Sequence, residues 1–207
     1  MRIVTTDNLF ADHETAPHDP LIVLATWFAR AKDEGVEEAD TMALATADDD
    51  GRPDIRFITL TAVALCGLVF FTNLDSTKGR QIRSNGNIAV ALHWPGLERQ
   101  LRVRGGVELL PNSDADRFFQ ESSPDVRIAA AASDQSRPLN DRRTLLRQAA
   151  FVATAMDTRE IGRPAHWAGF LLLPSEIEFW QRSPNRLHDR VRFTRDRDGW
   201  GRQRLYP

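Results

Sequence analysis

The chain has 207 residues, with 27 Lys and Arg against 29 Asp and Glu, and a formal net charge of −2 at pH 7. This length suits one sizeable domain with its own core, and the near-neutral charge argues against nucleic acid or an anionic membrane as a bulk partner. A single cysteine, Cys66, excludes an internal disulfide and a cysteine-based metal site.

The N-terminal part predicts an arm followed by a helix. Residues 1–18 are polar and aperiodic, so we expect a mobile arm preceding one domain over residues 19–207. No secretory leader and no apolar run of about 18 residues is visible, which predicts a cytoplasmic protein without a membrane span. Asp19 and Pro20 are typical of a helix start, and an amphipathic pattern follows until Gly35.

From Met42 onward, the hydrophobic pattern changes to the two-residue period of β-strands. Alternating and apolar blocks broken by turns predict three closely spaced strands before Ser76, and the short connections require antiparallel pairing. Ser76 is a credible N-cap for a short helix ending at Asn85, and two further strands follow.

Three helices are predicted over residues 112–156, and three or four strands close the chain. The pattern favours the α+β class, an antiparallel β-barrel with peripheral helices.

Three basic side chains, spaced two residues apart, lie close to the C-terminus. On one strand, Arg186, His188 and Arg190 would share a face. Such a face suits an anionic or electron-rich ligand, but it would equally suit a solvated edge strand protected by charge.

Other candidate ligand-binding residues are individually ambiguous. Ser76, Lys78 and Arg80 begin a helix, which favours a phosphate site or an ordinary capped surface helix. Gln100 could form hydrogen bonds to a heterocycle or simply be exposed, and Trp180 could stack on a ring or fill the core. The five histidines have no metal-binding spacing, so we expect no metal site.

Six segments in this order resemble the pyridoxamine 5′-phosphate oxidase family: "RFITLT", "GLVFFTNLDSTKGRQI", "LERQLRVRG", "SDQS", "IEFWQ" and "RLHDR". The resemblance implies a homodimeric split barrel that binds FMN at the subunit interface. It also implies that Arg186 and His188 face the substrate. The residues that it assigns to FMN are Arg56, Ile58, Leu60, Phe71, Thr72, Lys78, Gln100, Gln135, Ser136, Trp180 and Arg190.

The chain departs from this family where the substrate phosphate is held. The family's vitamin-forming members use a lysine, a tyrosine, an arginine and a serine, and the matching positions here are Thr61, Phe118, Ser122 and Val126. Each lost charge-assisted hydrogen bond costs roughly 1.5–3 kcal/mol, so we expect a substrate without a phosphate.

The segments "DPLIVLATWFARAKDEGV", "ALATADDDGR" and "RDRDGWGRQRLYP" resemble the flavin oxidases of phenazine biosynthesis. This resemblance implies oxidation of a dihydro- or tetrahydrophenazine carboxylate by O2, which gives H2O2. Three alternatives stay open: a pyridoxamine or pyridoxine 5′-phosphate oxidase, a flavin-binding or flavin-reducing module, and a cofactor-free split barrel.

Overall fold

The computed structural model describes residues 9–10, 19–158 and 161–207. Within this part of the chain there are five α-helices, none of them long and apolar enough to span a bilayer. They are α1 (Pro20–Asp33), α2 (Thr77–Ser84), α3 (Asn112–Glu121), α4 (Pro124–Ala132) and α5 (Arg142–Thr158). Most of the predicted mobile arm, residues 1–8 and 11–18, lies outside the described residues. Leu9 is fully buried in the core, and Phe10 packs against it.

The described residues also form one sheet of nine antiparallel strands. The strands are β1 (Thr41–Ala47), β2 (Pro53–Thr59), β3 (Ala62–Ala64), β4 (Gly67–Asn73), β5 (Asn87–Trp94), β6 (Arg99–Leu109), β7 (Trp167–Gln181), β8 (Asp189–Arg195) and β9 (Trp200–Arg204). Their order is β2-β1-β5-β6-β7-β4-β3, and β8 pairs with both β7 and β9. The predicted α+β class and antiparallel pairing are confirmed.

The first predicted hairpin region contains one strand more than expected. The amide of Leu60 still donates to Asp40 beside β1, whereas the amide of Thr61 donates to Val69 on β4. The backbone therefore changes its pairing partner between these two residues. This switch divides the single predicted strand into β2 and β3.

Strand β7 organises the sheet because it has 15 residues and pairs along both edges. One edge pairs with β6 between Phe170 and Gln181, while the other pairs first with β4 and then with β8. The β6 register shifts between Arg104 and Gly105, close to Pro174, which has no amide to donate. A Cβ on Gly105 would lie 2.0 Å from the carbonyl oxygen of Leu173, so the close approach requires glycine.

Alternation along β6, β7 and β8 separates a core face from an outer face. Leu101, Phe179 and Val191 have no exposed surface and face the core. The residues beside them in sequence, Gln100, Trp180 and Arg190, face the other way and are only half-buried. The polar and aromatic face of these strands is thus available to a ligand.

The prediction that Arg186, His188 and Arg190 share one strand was wrong for the first two. Residues Pro184–Arg186 form a short 3₁₀ turn, and β8 begins only at Asp189. Asn185 and Arg186 have φ angles of 58° and 63°, a left-handed conformation that a strand cannot contain. Only Arg190 lies on the strand.

Candidate functional site

The first group of candidate residues surrounds the start of α2. The Arg56 guanidinium donates to Thr46 Oγ1 at 2.6 Å and to Gln81 Oε1 at 3.3 Å. Lys78 Nζ donates to Gln135 Oε1 at 2.6 Å, which ties α2 to the loop after α4. We call Thr46, Arg56, Lys78, Gln81 and Gln135 the α2 cluster. It brings together three residues that the family resemblance assigns to FMN, namely Arg56, Lys78 and Gln135.

Lys78 is the most electrostatically perturbed residue of the α2 cluster. Its side chain is positioned because Ser76 Oγ caps α2 and accepts from the Gly79 amide at 3.2 Å. Burial, reinforced by the positive charge of Arg56, lowers the pKa of Lys78 to about 8, although Asp54 opposes the shift. Within the described residues Lys78 forms no ion pair. A bound anion would therefore stabilise the ammonium form.

The second group lies on the outer face of β6, β7 and β8. Gln100 pairs with Trp180 across β6 and β7, and Trp180 pairs with Arg190 across β7 and β8. The His188 ring lies 4.7 Å from the Trp180 ring, centroid to centroid. We call Gln100, Glu178, Trp180, His188 and Arg190 the β8 cluster. It combines an aromatic platform with hydrogen-bond donors, which suits a planar heterocycle.

Glu178 is the only carboxylate that is buried in the described part of the chain, and it holds Arg190. Its Oε1 accepts from Arg190 Nε at 2.9 Å and from Arg190 Nη2 at 2.7 Å. Its Oε2 accepts from Arg102 Nη1 at 3.2 Å. Arg190 Nη1 also donates to the Tyr206 carbonyl at 2.9 Å, so the guanidinium is fixed on two sides.

A cavity of about 690 Å³ opens beside the β8 cluster. Trp180, Arg186 and His188 line it, together with the 3₁₀ turn. The Ser183 amide donates to His188 Nδ1 at 3.3 Å, so the neutral ring carries its proton on Nε2. Arg186 is exposed and has no ion pair or hydrogen bond among the described residues, which leaves its guanidinium free for an anionic group.

The remaining predicted cofactor residues occupy different environments. Ile58 is half-buried, whereas Leu60 is 1% exposed and packs in the core, so its side chain is inaccessible to a ligand. Thr72 is likewise buried, and its neighbour Phe71 faces the opposite side of β4. Ser136 is exposed in the loop after α4, with a left-handed φ of 70°.

One of the four departures from the family pattern, Phe118, belongs to an aromatic pair. Phe118 stacks on Phe71 with a ring separation of 3.8 Å and an interplanar angle of 8°. Ser122 Oγ donates to the Phe118 carbonyl at 2.7 Å, Val126 is exposed, and Thr61 is half-buried. None of the four positions carries a cationic side chain.

Sequence reasoning missed three residues of these clusters. Thr46 and Gln81 bind Arg56, and Glu178 binds Arg190. A signal for Glu178 was available, because it lies between Ile177 and Phe179 in a strand that is apolar on both sides. Nothing local identified Thr46 or Gln81, whose contacts join distant parts of the chain.

The two clusters remain apart within one chain. No hydrogen bond, ion pair or ring contact between described residues connects the α2 cluster to the β8 cluster. The same part of the chain contains no group of three or more His, Cys, Asp or Glu that could hold a metal ion.

Family models match most of the sequence. The model described as "Pyridoxamine 5'-phosphate oxidase" matches residues 28–155, and the model described as "Pyridoxine 5'-phosphate oxidase C-terminal dimerisation region" matches residues 167–207. The second match covers β7, β8 and β9 and supports a homodimer.

The named relatives and solved structures differ in the compounds that their names mention. A pyridoxine/pyridoxamine 5′-phosphate oxidase of Gluconobacter oxydans (strain 621H) is 45% identical over 189 residues, which are 91% of this chain and 94% of the relative. PhzG of Burkholderia lata 383, solved in complex with tetrahydrophenazine-1-carboxylic acid, is 33% identical with a TM-score of 0.90, and 96% of each chain is covered. An FMN-binding protein of Nostoc punctiforme PCC 73102 is 18% identical with a TM-score of 0.71, covers 94% of this chain and 100% of its own, and shows the fold alone.

The side chains described above fit the family's cofactor. The α2 cluster offers a buried ammonium without a carboxylate partner, which suits the phosphate of FMN. The β8 cluster offers an indole and a guanidinium, which suit a flavin ring. The chain therefore belongs to the pyridoxamine 5′-phosphate oxidase family, with its split-barrel fold, and is an FMN-dependent oxidoreductase.

Proposed function

We propose that the chain is an oxidase that aromatises a reduced, non-phosphorylated nitrogen heterocycle, a dihydro- or tetrahydrophenazine carboxylate, with O2 as oxidant. The observation that carries this proposal is the stacked pair of Phe71 and Phe118. The pair presents an apolar surface at a position where the resemblance puts a phosphate-binding tyrosine, and the neutral Thr61 and Ser122 stand where it puts a lysine and an arginine. A phosphomonoester would lose roughly 1.5–3 kcal/mol for each missing charge-assisted contact.

Cofactor binding would be divided between the two clusters. Arg56, Lys78, Gln135 and Ser136 would hold the phosphate of FMN, while Gln100, Trp180 and Arg190 would hold its ring. Ile58, Leu60, Phe71 and Thr72 complete the proposed set, Leu60 through its backbone because its side chain is buried. The separation of the clusters within one chain fits a cofactor shared between two subunits of a homodimer.

The substrate would bind in the cavity beside Trp180. Arg186, exposed and without a partner in the described chain, would pair with the substrate carboxylate and fix which ring lies at the reacting position. His188 would donate from Nε2 to a substrate nitrogen or carboxylate, because its Nδ1 accepts from the Ser183 amide.

Redox chemistry belongs to the cofactor. FMN held by the two clusters would supply hydride acceptance, which removes two electrons and one proton from the substrate, and O2 as final acceptor of two electrons and two protons would give H2O2. The second proton would leave the substrate N–H through the cavity that His188 lines. Formation of an aromatic ring provides the driving force, so no paired acid and base are required.

The relatives that are 45% identical favour a second candidate, a pyridoxine/pyridoxamine 5′-phosphate oxidase. The FMN-loaded protein should therefore be given each substrate separately in air while H2O2 is measured. We expect kcat/KM for a reduced phenazine carboxylate to exceed that for pyridoxine 5′-phosphate by at least about a hundredfold, from two or more missing phosphate contacts. A higher value for pyridoxine 5′-phosphate would overturn the proposal.

Arg186→Ala tests the carboxylate contact. We expect kcat/KM for the carboxylated substrate to fall by roughly ten- to a hundredfold, with little change for the same reduced phenazine lacking its carboxylate. Arg197→Ala is the control, because Arg197 is exposed in the turn between β8 and β9. Equal losses for both substrates would contradict the assigned role of Arg186.

A further inference from the structure

Glu178 is not among the residues that the family resemblance assigns to FMN, yet its position is unusual. It is 6% exposed, and it lies two residues before Trp180 on the same face of β7. Burying a carboxylate is costly unless its charge is compensated. Both of its oxygens are occupied by arginines, Arg190 on Oε1 and Arg102 on Oε2. The burial therefore serves the arrangement of these guanidiniums.

The hydrogen bonds of Arg190 leave a defined part of the guanidinium unused. An arginine has five N–H donors. Arg190 uses Nε and one hydrogen of Nη2 on Glu178, and one hydrogen of Nη1 on the Tyr206 carbonyl. One hydrogen on each terminal nitrogen remains available. These two donors belong to the outer face of β8, in register with Trp180.

We propose that Glu178 is a positioning residue for the flavin site, which orients Arg190 and offsets part of its charge so that its two free donors meet the ring of FMN. This inference rests on the role of Arg190 in the proposed function. Its consequence concerns the cofactor's redox balance. Flavin gains negative charge on reduction, and a fully uncompensated guanidinium would favour the reduced form. Glu178 moderates that preference and thereby adds to the driving force for reoxidation by O2.

Glu178→Gln tests the inference because it preserves shape and removes the charge. We expect the ratio of affinities for reduced over oxidised FMN to rise about three- to tenfold, which for a two-electron couple is an upward shift of about 15–30 mV in midpoint potential. The measurement is equilibrium reduction of the bound flavin against a reference dye. A purely structural role would change the melting temperature without changing the potential.

Glu176→Gln is the matched control. Glu176 lies two residues earlier on β7 and pairs with Arg104 at 2.8 Å, an arginine that is more than half exposed. We expect the potential of this variant to match that of the wild type. Equal shifts in the two variants, or none in Glu178→Gln, would overturn the proposal.

Arg102→Met provides an independent test if Glu178→Gln does not fold. Removing Arg102 leaves the Glu178 charge entirely to Arg190, so we expect the midpoint potential to fall. An upward shift would contradict the inference. Arg190→Met tests separately whether Arg190 contacts the flavin and whether Glu178 acts through Arg190. In a protein that already carries Arg190→Met, adding Glu178→Gln should no longer shift the midpoint potential. If Arg190→Met leaves FMN affinity and potential unchanged, the assignment of Arg190 to the flavin fails as well.

Discussion

The two clusters balance their positive charges differently. Lys78 in the α2 cluster is buried with an amide oxygen as its hydrogen-bond partner and no carboxylate within ion-pair distance in the described chain. Arg190 in the β8 cluster forms an ion pair with Glu178, with 2.7 Å between Nη2 and Oε1. One cation is left without a counterion, whereas the other is largely compensated.

This difference matches the two ends of FMN in the proposed assignment. A phosphate supplies the missing counterion itself, so a preformed carboxylate beside Lys78 would compete with it. A flavin ring is neutral when oxidised and needs directed donors more than net charge. In that assignment, two basic residues of one site acquire different tasks from their neighbours. Three experiments can test it.

The largest expected effect is that of Lys78→Met on FMN binding. Loss of a charge-assisted contact should raise the dissociation constant roughly ten- to 150-fold, measured by quenching of flavin fluorescence. Riboflavin, which lacks the phosphate, should bind both proteins equally, whereas Arg190→Met should weaken both ligands. Arg83→Met in the last turn of α2 is the control. If Lys78→Met weakened riboflavin binding as much as FMN binding, Lys78 would not act through the phosphate.

Gly79→Ala should disturb the α2 cluster through the backbone. An added Cβ would lie 2.4 Å from the Asn73 carbonyl oxygen and 2.6 Å from that of Leu74, so the start of α2 must move. We expect a loss of about 1–3 kcal/mol in the free energy of unfolding, measured by denaturant titration, with weaker FMN binding. Gly86→Ala is the control because its Cβ would meet no atom within 4 Å. Unchanged stability in Gly79→Ala would refute this account of the tight helix start.

The smallest effect is a pH dependence of FMN affinity. Bound phosphate favours the ammonium, so the pKa of Lys78 is higher in the complex than its value of about 8 in the free protein. Affinity should be fully present below pH 8 and fall by up to about tenfold per unit as pH rises above it. Riboflavin affinity and the Lys78→Met variant should lack this slope. A flat FMN profile in the wild type between pH 7 and 9.5 would argue against an ammonium contact with phosphate.

Local sequence signals predicted the helices well because their determinants are local. Asp19 accepts from the Leu21 amide at 2.9 Å, and Ser76 caps α2 as its side chain predicts. The same reasoning failed at Arg186, where Pro184 and two left-handed residues interrupt the expected strand. A spacing of two indicates a shared face only if the backbone is extended.

By itself, the sequence determined the antiparallel α+β class, the residues that match the family, and the absence of cations at the four positions that match the phosphate-holding residues of the family's vitamin-forming members. Only the tertiary structure decided which of these residues meet. The contact of Lys78 with Gln135 joins residues 57 positions apart, and that of Arg102 with Glu178 joins residues 76 apart. Such contacts depend on strand register and on where loops return. Those are properties of the assembled sheet, so only the tertiary structure revealed the ion pair between Glu178 and Arg190.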